Sequence, residues 1–257
     1  MERPPTKGKN SEQIRLTFLE AINNTKITEI ETEFDNKSVD SLLIELNNSK
    51  LFLLGETHGV KENPKIIYTL FKKFGFKNLA LEWDIKLSPE VQNFLQTGEI
   101  DFRTIIDSSD GRITAGHFAL LKKLKEEGLL EKVICFDDWS EENKRDINMA
   151  KNILKNLSET PTLIVAGKLH TQTQSIFFED ESEEYHPMGE NIKIQMPNTP
   201  SGEVEYLSGQ YYNSTAKEFR NKNTTVQLTK AKFHKLFNNK YIFELPEAHV
   251  AIVPNSL

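Results

Sequence analysis

The 257-residue chain holds one cysteine, Cys135, so it can build neither an internal disulfide nor a thiolate zinc cage. Disulfide scaffolds and zinc fingers are excluded, and the setting that fits is reducing. Basic charge is also in deficit: 32 Lys and Arg stand against 38 Asp and Glu, for a formal net charge of -6. Affinity for phosphate backbones or anionic membranes rests on clustered Lys and Arg, so nucleic acid is not an expected partner. No apolar run reaches the ~20 residues of a membrane span. Met1–Asn10 lack the hydrophobic core of a secretory signal, which makes a cytoplasmic location the expectation. Several enzyme signatures are missing too: Gly-x-Ser-x-Gly, the Walker A loop, Gly-x-Gly-x-x-Gly and His-Glu-x-x-His.

With 37% hydrophobic and 27% charged residues, the chain has the composition of a globular protein. A chain of this length buries roughly 70–75% of its unfolded surface without disulfides or a structural metal. The first ten residues are polar, with two prolines, and are expected to be a disordered tail before a single domain over 11–257. Short helices are expected around Leu16–Ile22 and Ser41–Leu46.

From Leu51 onward, short apolar runs alternate with polar clusters and helical periods, the pattern of βα units around a parallel sheet. The strands are Leu51–Leu54, Leu79–Leu81, Val133–Phe136 and Thr162–Ala166. The first crossover helix is capped at Asn63, opens with Pro64, carries the stripe Ile66, Ile67, Leu70, Phe71 and Phe74, and stops at Gly75. Pro89–Leu95 and Phe102–Ile106 read as helical, as does His117–Glu127 up to Gly128. A further helix is capped by Ser140 and packs through Ile147, Ala150, Ile153, Leu154 and Leu157. Val204–Leu207, Thr225–Leu228, Tyr241–Phe243 and Val250–Val253 read as strands. The expected fold is α/β: a mostly parallel central sheet flanked by helices, with C-terminal antiparallel strands.

In an open parallel sheet, ligands bind beyond the carboxyl ends of the strands. All four strands here end in polar or ionisable residues: Glu56 and His58, Glu82 and Asp84, Asp137 and Asp138, Lys168 and His170. Such a rim suits hydrolysis, because His takes a proton near neutral pH, carboxylates orient water, and the two together bind divalent metals. Each residue also has a plain structural reading. Gly55 and Gly59 permit a tight turn, Glu82 and Asp84 suit a solvated loop, and Asp137 and Asp138 favour a helix start. His117 is as readily structural as functional, and His186, His234 and His249 fall outside the strand-end set. Arg145 is either an exposed charge or a group reaching over the rim toward Glu56, Glu82 or an oxyanion.

Taken in order, these residues resemble the erythromycin esterase-like, ChaN-like haem-uptake and Tiki/TraB proteins. Leu54-Gly55-Glu56-Thr57-His58-Gly59 resembles their first Gly-x-x-His motif, and Ala80-Leu81-Glu82 their strand-end glutamate. Arg145-Asp146-Ile147-Asn148-Met149-Ala150-Lys151-Asn152 is similar to an esterase-like helix, Gly167-Lys168-Leu169-His170 to the second Gly-x-x-His, and Pro187-Met188-Gly189 to the segment that follows it. The resemblance spans about Leu51 to Tyr212 and implies an EreA/ChaN-like fold. It also implies a hydrolase that opens an ester or related acyl bond of a small-molecule or peptide substrate. On this reading His58 is general base, Glu82 orients the water or the base, His170 and Arg145 stabilise the oxyanion, and Glu56 supports the loop. The Tiki branch implies instead a divalent metal (Zn, Mn or Fe) on His58, His170, Glu56 and Glu82. The ChaN-like branch implies haem binding without turnover, with His58 or His170 facing iron. An effector or toxin-like domain on the same scaffold is a further alternative, and the residues specify no oligomeric state.

Overall fold

The computed structural model describes residues 11–101, 105, 110–179, 184–219 and 228–254. The expected tail Met1–Asn10, the stretch Phe102–Ile106 except Ile105, and Thr225–Gln227 lie outside the described residues. In chain order the elements are α1 (Ser11–Asn24), β1 (Thr32–Phe34), α2 (Asn36–Ser49), β2 (Leu51–Glu56), α3 (Asn63–Phe74), β3 (Asn78–Asp84), α4 (Ser88–Thr97), α5 (Ala115–Glu126), β4 (Lys132–Asp137) and α6 (Arg145–Lys155). They continue with β5 (Thr162–Gly167), α7 (Met188–Gln195), β6 (Ser201–Tyr206), β7 (Gln210–Asn213), β8 (Thr215–Glu218), β9 (Ala231–Lys235) and β10 (Tyr241–Leu245).

Eight strands form one sheet in the order β1-β9-β10-β6-β2-β5-β3-β4, and β7 and β8 pair separately as a hairpin. Every neighbouring pair in the large sheet is parallel except β9 with β10. The fold is therefore α/β, mostly parallel, with antiparallel pairing confined to the C-terminal part, as expected.

Alternate residues of each strand feed opposite faces, which explains the unbroken apolar runs. Phe52, Leu54, Leu79, Leu81, Val133 and Cys135 pack with α1 to α5, while Leu51, Leu53, Ala80, Ile134 and Phe136 pack with α6 and α7. The α3 stripe is buried throughout and Gly75 ends the helix at φ 70, both as read from sequence.

Four local expectations are corrected. Asn63 is the first helical residue and not the cap; its side-chain amide donates to Thr57 O at 2.8 Å, tying helix to loop. Ser140 caps nothing: its N–H donates to Asp138 Oδ1 at 2.9 Å, and a short 3-10 turn, Glu142–Lys144, precedes α6. Because α6 then starts at Arg145, its buried face is Asp146, Met149, Ala150 and Ile153, and Ile147 is exposed. Val250–Val253 is not a strand; Val250 makes an isolated bridge to Val60.

Two glycines bring distant loops together over the rim. Gly59 (φ 74) and Gly111 (φ 83) approach so closely that a Cβ on Gly111 would lie 2.6 Å from Gly59 Cα. Gly59 N–H donates to Gly111 O at 3.0 Å, so the loop after β2 and the loop before α5 are stitched edge to edge.

Candidate active site

Glu56, Asp137 and Gly167 are the last residues of β2, β4 and β5, and Glu82 lies near the end of β3. Glu56 pairs with Gly167 across β2 and β5. On β3, Leu81 lies opposite Cys135 but Asp84 opposite Asp137, so β3 carries one residue more than β4 across Glu82 and Trp83. An extra residue of this kind re-aims side chains at the end of a sheet.

Around this rim, Glu82 is 2% exposed and uses both carboxylate oxygens. Oε1 takes Arg145 Nη2 at 2.8 Å and Arg112 Nη1 at 3.1 Å. Oε2 accepts Gly167 N–H at 2.7 Å and lies 3.3 Å from His58 Nε2. Asp137 holds the same two arginines from below, through Arg145 Nε at 2.8 Å, Arg145 Nη2 at 2.9 Å and Arg112 Nη1 at 2.6 Å. Asp110 takes Arg112 Nε at 2.6 Å. Trp139 donates its indole N–H to Asp137 Oδ2 at 2.9 Å and lies over the Arg145 guanidinium, 4.0 Å from ring centre to Cζ.

The two histidines differ in protonation. His58 has Nδ1 3.1 Å from Glu56 Oε1 and Nε2 beside Glu82; carboxylates only accept, so both ring nitrogens carry protons. Burial alone would lower its pKa, but the Glu82 charge and hydrogen bonds to Glu56 and Glu82 override that and raise it from 6.5 to about 10. Burial would likewise raise the pKa of Glu82, yet His58 and Arg112 hold it well below the usual carboxylate range.

His170 is arranged the other way. Its Nε2 lies 3.1 Å from Arg145 Nη1, and a guanidinium cannot accept, so Nε2 presents a lone pair. Nδ1 therefore carries the proton and donates to Asp146 Oδ1 at 2.8 Å. His170 Nε2 is also 3.6 Å from Glu82 Oε1. Gly167 sits between the rings: a Cβ there would lie 3.2 Å from His58 Nε2 and 3.7 Å from His170 Cδ2.

His58, Glu82, His170, Arg145 and Glu56 thus come together as one connected group. Asp137, another rim residue, joins them through both arginines, whereas Asp84 and Asp138 do not. Asp84 accepts Lys86 N–H at 2.8 Å and caps a short turn, and Asp138 does the same for Ser140. Lys168 joins through its backbone N–H, which donates to Glu56 O at 3.1 Å. His117 is buried, with Nδ1 3.0 Å from Thr114 Oγ1, and packs edge-on to Trp83. His186, His234 and His249 pair with Glu190, Glu244 and Glu62 outside the site.

Sequence reading passed over Arg112, Asp110, Asp146 and Tyr185. Arg112 had one usable signal, the preceding Gly111. Asp146 stood beside Arg145 in the motif already singled out. Tyr185 had none, since only tertiary folding brings its hydroxyl to Asp146 Oδ2 at 2.8 Å.

A divalent metal does not fit this arrangement. Glu82 and Asp137 are turned to two guanidinium groups, His58 is charged, and among the described residues no cluster of three ligating side chains is placed for an ion. Haem iron fares no better, because every ring nitrogen of His58 and His170 is engaged. No helix among the described residues is long and apolar enough to cross a membrane.

No family model matches the chain, and no curated protein matches it in sequence. Its fold is shared by solved structures of low identity. One is a succinoglycan biosynthesis protein at TM-score 0.59 and 11% identity, covering 96% of this chain and 100% of that one. A Bacillus cereus protein aligns at TM-score 0.53 and 10% identity, again covering 96% and 100%. An erythromycin esterase mutant in its open conformation aligns at TM-score 0.54 and 10% identity, covering 75% of this chain and 81% of that one. At such identities the likeness shows that this chain has the fold of an erythromycin esterase and carries no activity across with it.

Proposed function

We propose that the chain is a hydrolase in which water attacks an ester or related acyl bond of a small-molecule or peptide substrate. The observation that carries this reading is the pair of histidines on either side of Glu82, one a buried imidazolium and one with a lone pair facing the site. A proton donor and a proton acceptor held on either side of one carboxylate are the arrangement that acid–base chemistry needs.

The sequence-based division of labour changes accordingly. His58, charged at neutral pH, is unsuited to take a proton and instead donates one from Nε2 to the departing oxygen. His170 Nε2 accepts the proton of the attacking water. Arg145 keeps its expected role: when its Nη1 turns from His170 to the substrate carbonyl oxygen, it stabilises the oxyanion and uncovers the base in the same movement. Glu82 anchors Arg112, Arg145 and His58, and Glu56 holds His58 Nδ1.

A panel of aryl esters, thioesters and lactones tests the reading with wild type, His58→Asn and His170→Asn. Turnover by wild type and a loss of at least ~10²-fold in each variant is expected, since general acid–base groups commonly contribute 10²–10⁴. No turnover on the panel, or turnover unaltered in both variants, would overturn it.

A further inference from the structure

Asp146 is 9% exposed, yet its carboxylate accepts from three groups. His170 Nδ1 reaches Oδ1 at 2.8 Å, Met188 N–H reaches Oδ1 at 2.7 Å, and the Tyr185 hydroxyl reaches Oδ2 at 2.8 Å. The three come from the loop after β5, the first residue of α7 and the segment before it, while Asp146 itself rides on the first turn of α6. A carboxylate whose only remaining outlet is to accept keeps the neighbouring imidazole in one tautomer and one orientation.

We infer that Asp146 is the positioning residue that sets His170 as the Nδ1–H tautomer, with Tyr185 fixing the carboxylate, so that Nε2 is left as the proton acceptor of the site. The inference deepens the hydrolase reading by naming what makes His170 a base. Tyr185 serves twice: it donates to Asp146 Oδ2, and its oxygen lies 3.1 Å from His170 Nδ1, which keeps the ring edge covered. Burial, then the Asp146 charge, pushes the Tyr185 phenol far above its ordinary range, so it remains a donor at every working pH. The contact of Arg145 Nη1 with Nε2 is the other half of the same geometry, because it is compatible only with an unprotonated Nε2.

A merely structural Asp146 would tie α6 to α7 through Met188 and leave the imidazole indifferent. Nitrogen-15 NMR of histidine-labelled protein at neutral pH, without substrate, separates the two. In wild type, His170 is expected to show a protonated Nδ1 and a bare Nε2. Asp146→Ala removes Oδ1, the oxygen that His170 Nδ1 and Met188 N–H share, and His170 should no longer be held in the Nδ1–H form alone. Tyr185→Phe, with Asp146 intact, should retain the Nδ1–H form. Where turnover is available, Asp146→Ala should lower kcat by ~10²-fold or more with KM little changed, the usual weight of the acid–base group it orients. A wild-type His170 protonated on Nε2 would overturn the inference whether or not Asp146→Ala folds. So would an unaltered tautomer in Asp146→Ala, or loss of the Nδ1–H form in Tyr185→Phe. The spectra read the tautomer without any substrate, so this inference and the hydrolase reading fail separately.

Discussion

His58 Nε2 lies 3.3 Å from Glu82 Oε2, and both side chains are largely out of water. The pair makes stability depend on pH. The folded-state pKa of His58, about 10, exceeds its ordinary 6.5, so its contribution is complete below pH 6.5 and is lost as pH climbs through about 10. Denaturant midpoints should therefore fall across that alkaline window in wild type, and His58→Asn should flatten this part of the curve. A midpoint independent of pH in wild type would mean that the ring is not a charged partner of Glu82.

Arg145 spans three acceptors at once: Asp137 through Nε and Nη2, Glu82 through Nη2, and His170 through Nη1. A lysine ammonium is a point charge and cannot hold this fork. Arg145→Lys should therefore be nearly as damaging as Arg145→Ala. Both should lose stability, by less than the ~3–5 kcal/mol of a wholly uncompensated buried charge, because Arg112 still pairs with Glu82 and Asp137. Thermal midpoints and steady-state rates on the two variants check this; full stability and activity in Arg145→Lys would show that charge alone suffices.

Gly167 tests how tightly the site is packed. A methyl group there would press 3.2 Å from His58 Nε2 and 3.5 Å from Glu82 Oε2, and the Gly167 φ is not positive. Gly167→Ala should fold but misplace the two groups, and an ångström of misplacement costs up to ~10²-fold in rate. Wild-type turnover in this variant would argue that neither group reacts.

Cys135 is buried on β4, and burial pushes its thiol up to about 12. Aromatic disulfide reagents should leave it untouched in the native protein and titrate one thiol after unfolding. Rapid native labelling would contradict the packing of β4 under α4.

Most of the sheet was legible because buried parallel strands write themselves as unbroken apolar runs, as in Leu51–Leu54 and Thr162–Ala166. Glu56, His58, Glu82 and His170 followed, since strand ends of a parallel sheet share one rim. Asp84 and Asp138, open in the sequence between site and loop, stay out of the site for a local reason: each turns back to cap its own backbone, a choice made by turn geometry and invisible to spacing. The start of α6 was misjudged because Ser140 served Asp138, and the shift of register moved Asp146 to the buried face and Ile147 to the surface. Tyr185 was beyond sequence reasoning and Arg112 nearly so, with Gly111 its one signal, because loops far apart in the chain bring them in, one by the bridge of Ile176 with Tyr185 and the other by the Gly59–Gly111 contact.

The central claim, that a charged His58 donates and a neutral His170 accepts, is tested most directly by the pH dependence of kcat/KM on a hydrolysed ester, corrected for spontaneous hydrolysis. The alkaline limb should fall as pH passes about 10 and His58 loses its proton, and His58→Asn should lack that limb along with most of the rate. A rate that instead rises through the same pH would mean that neutral His58 is the base, and would contradict the account.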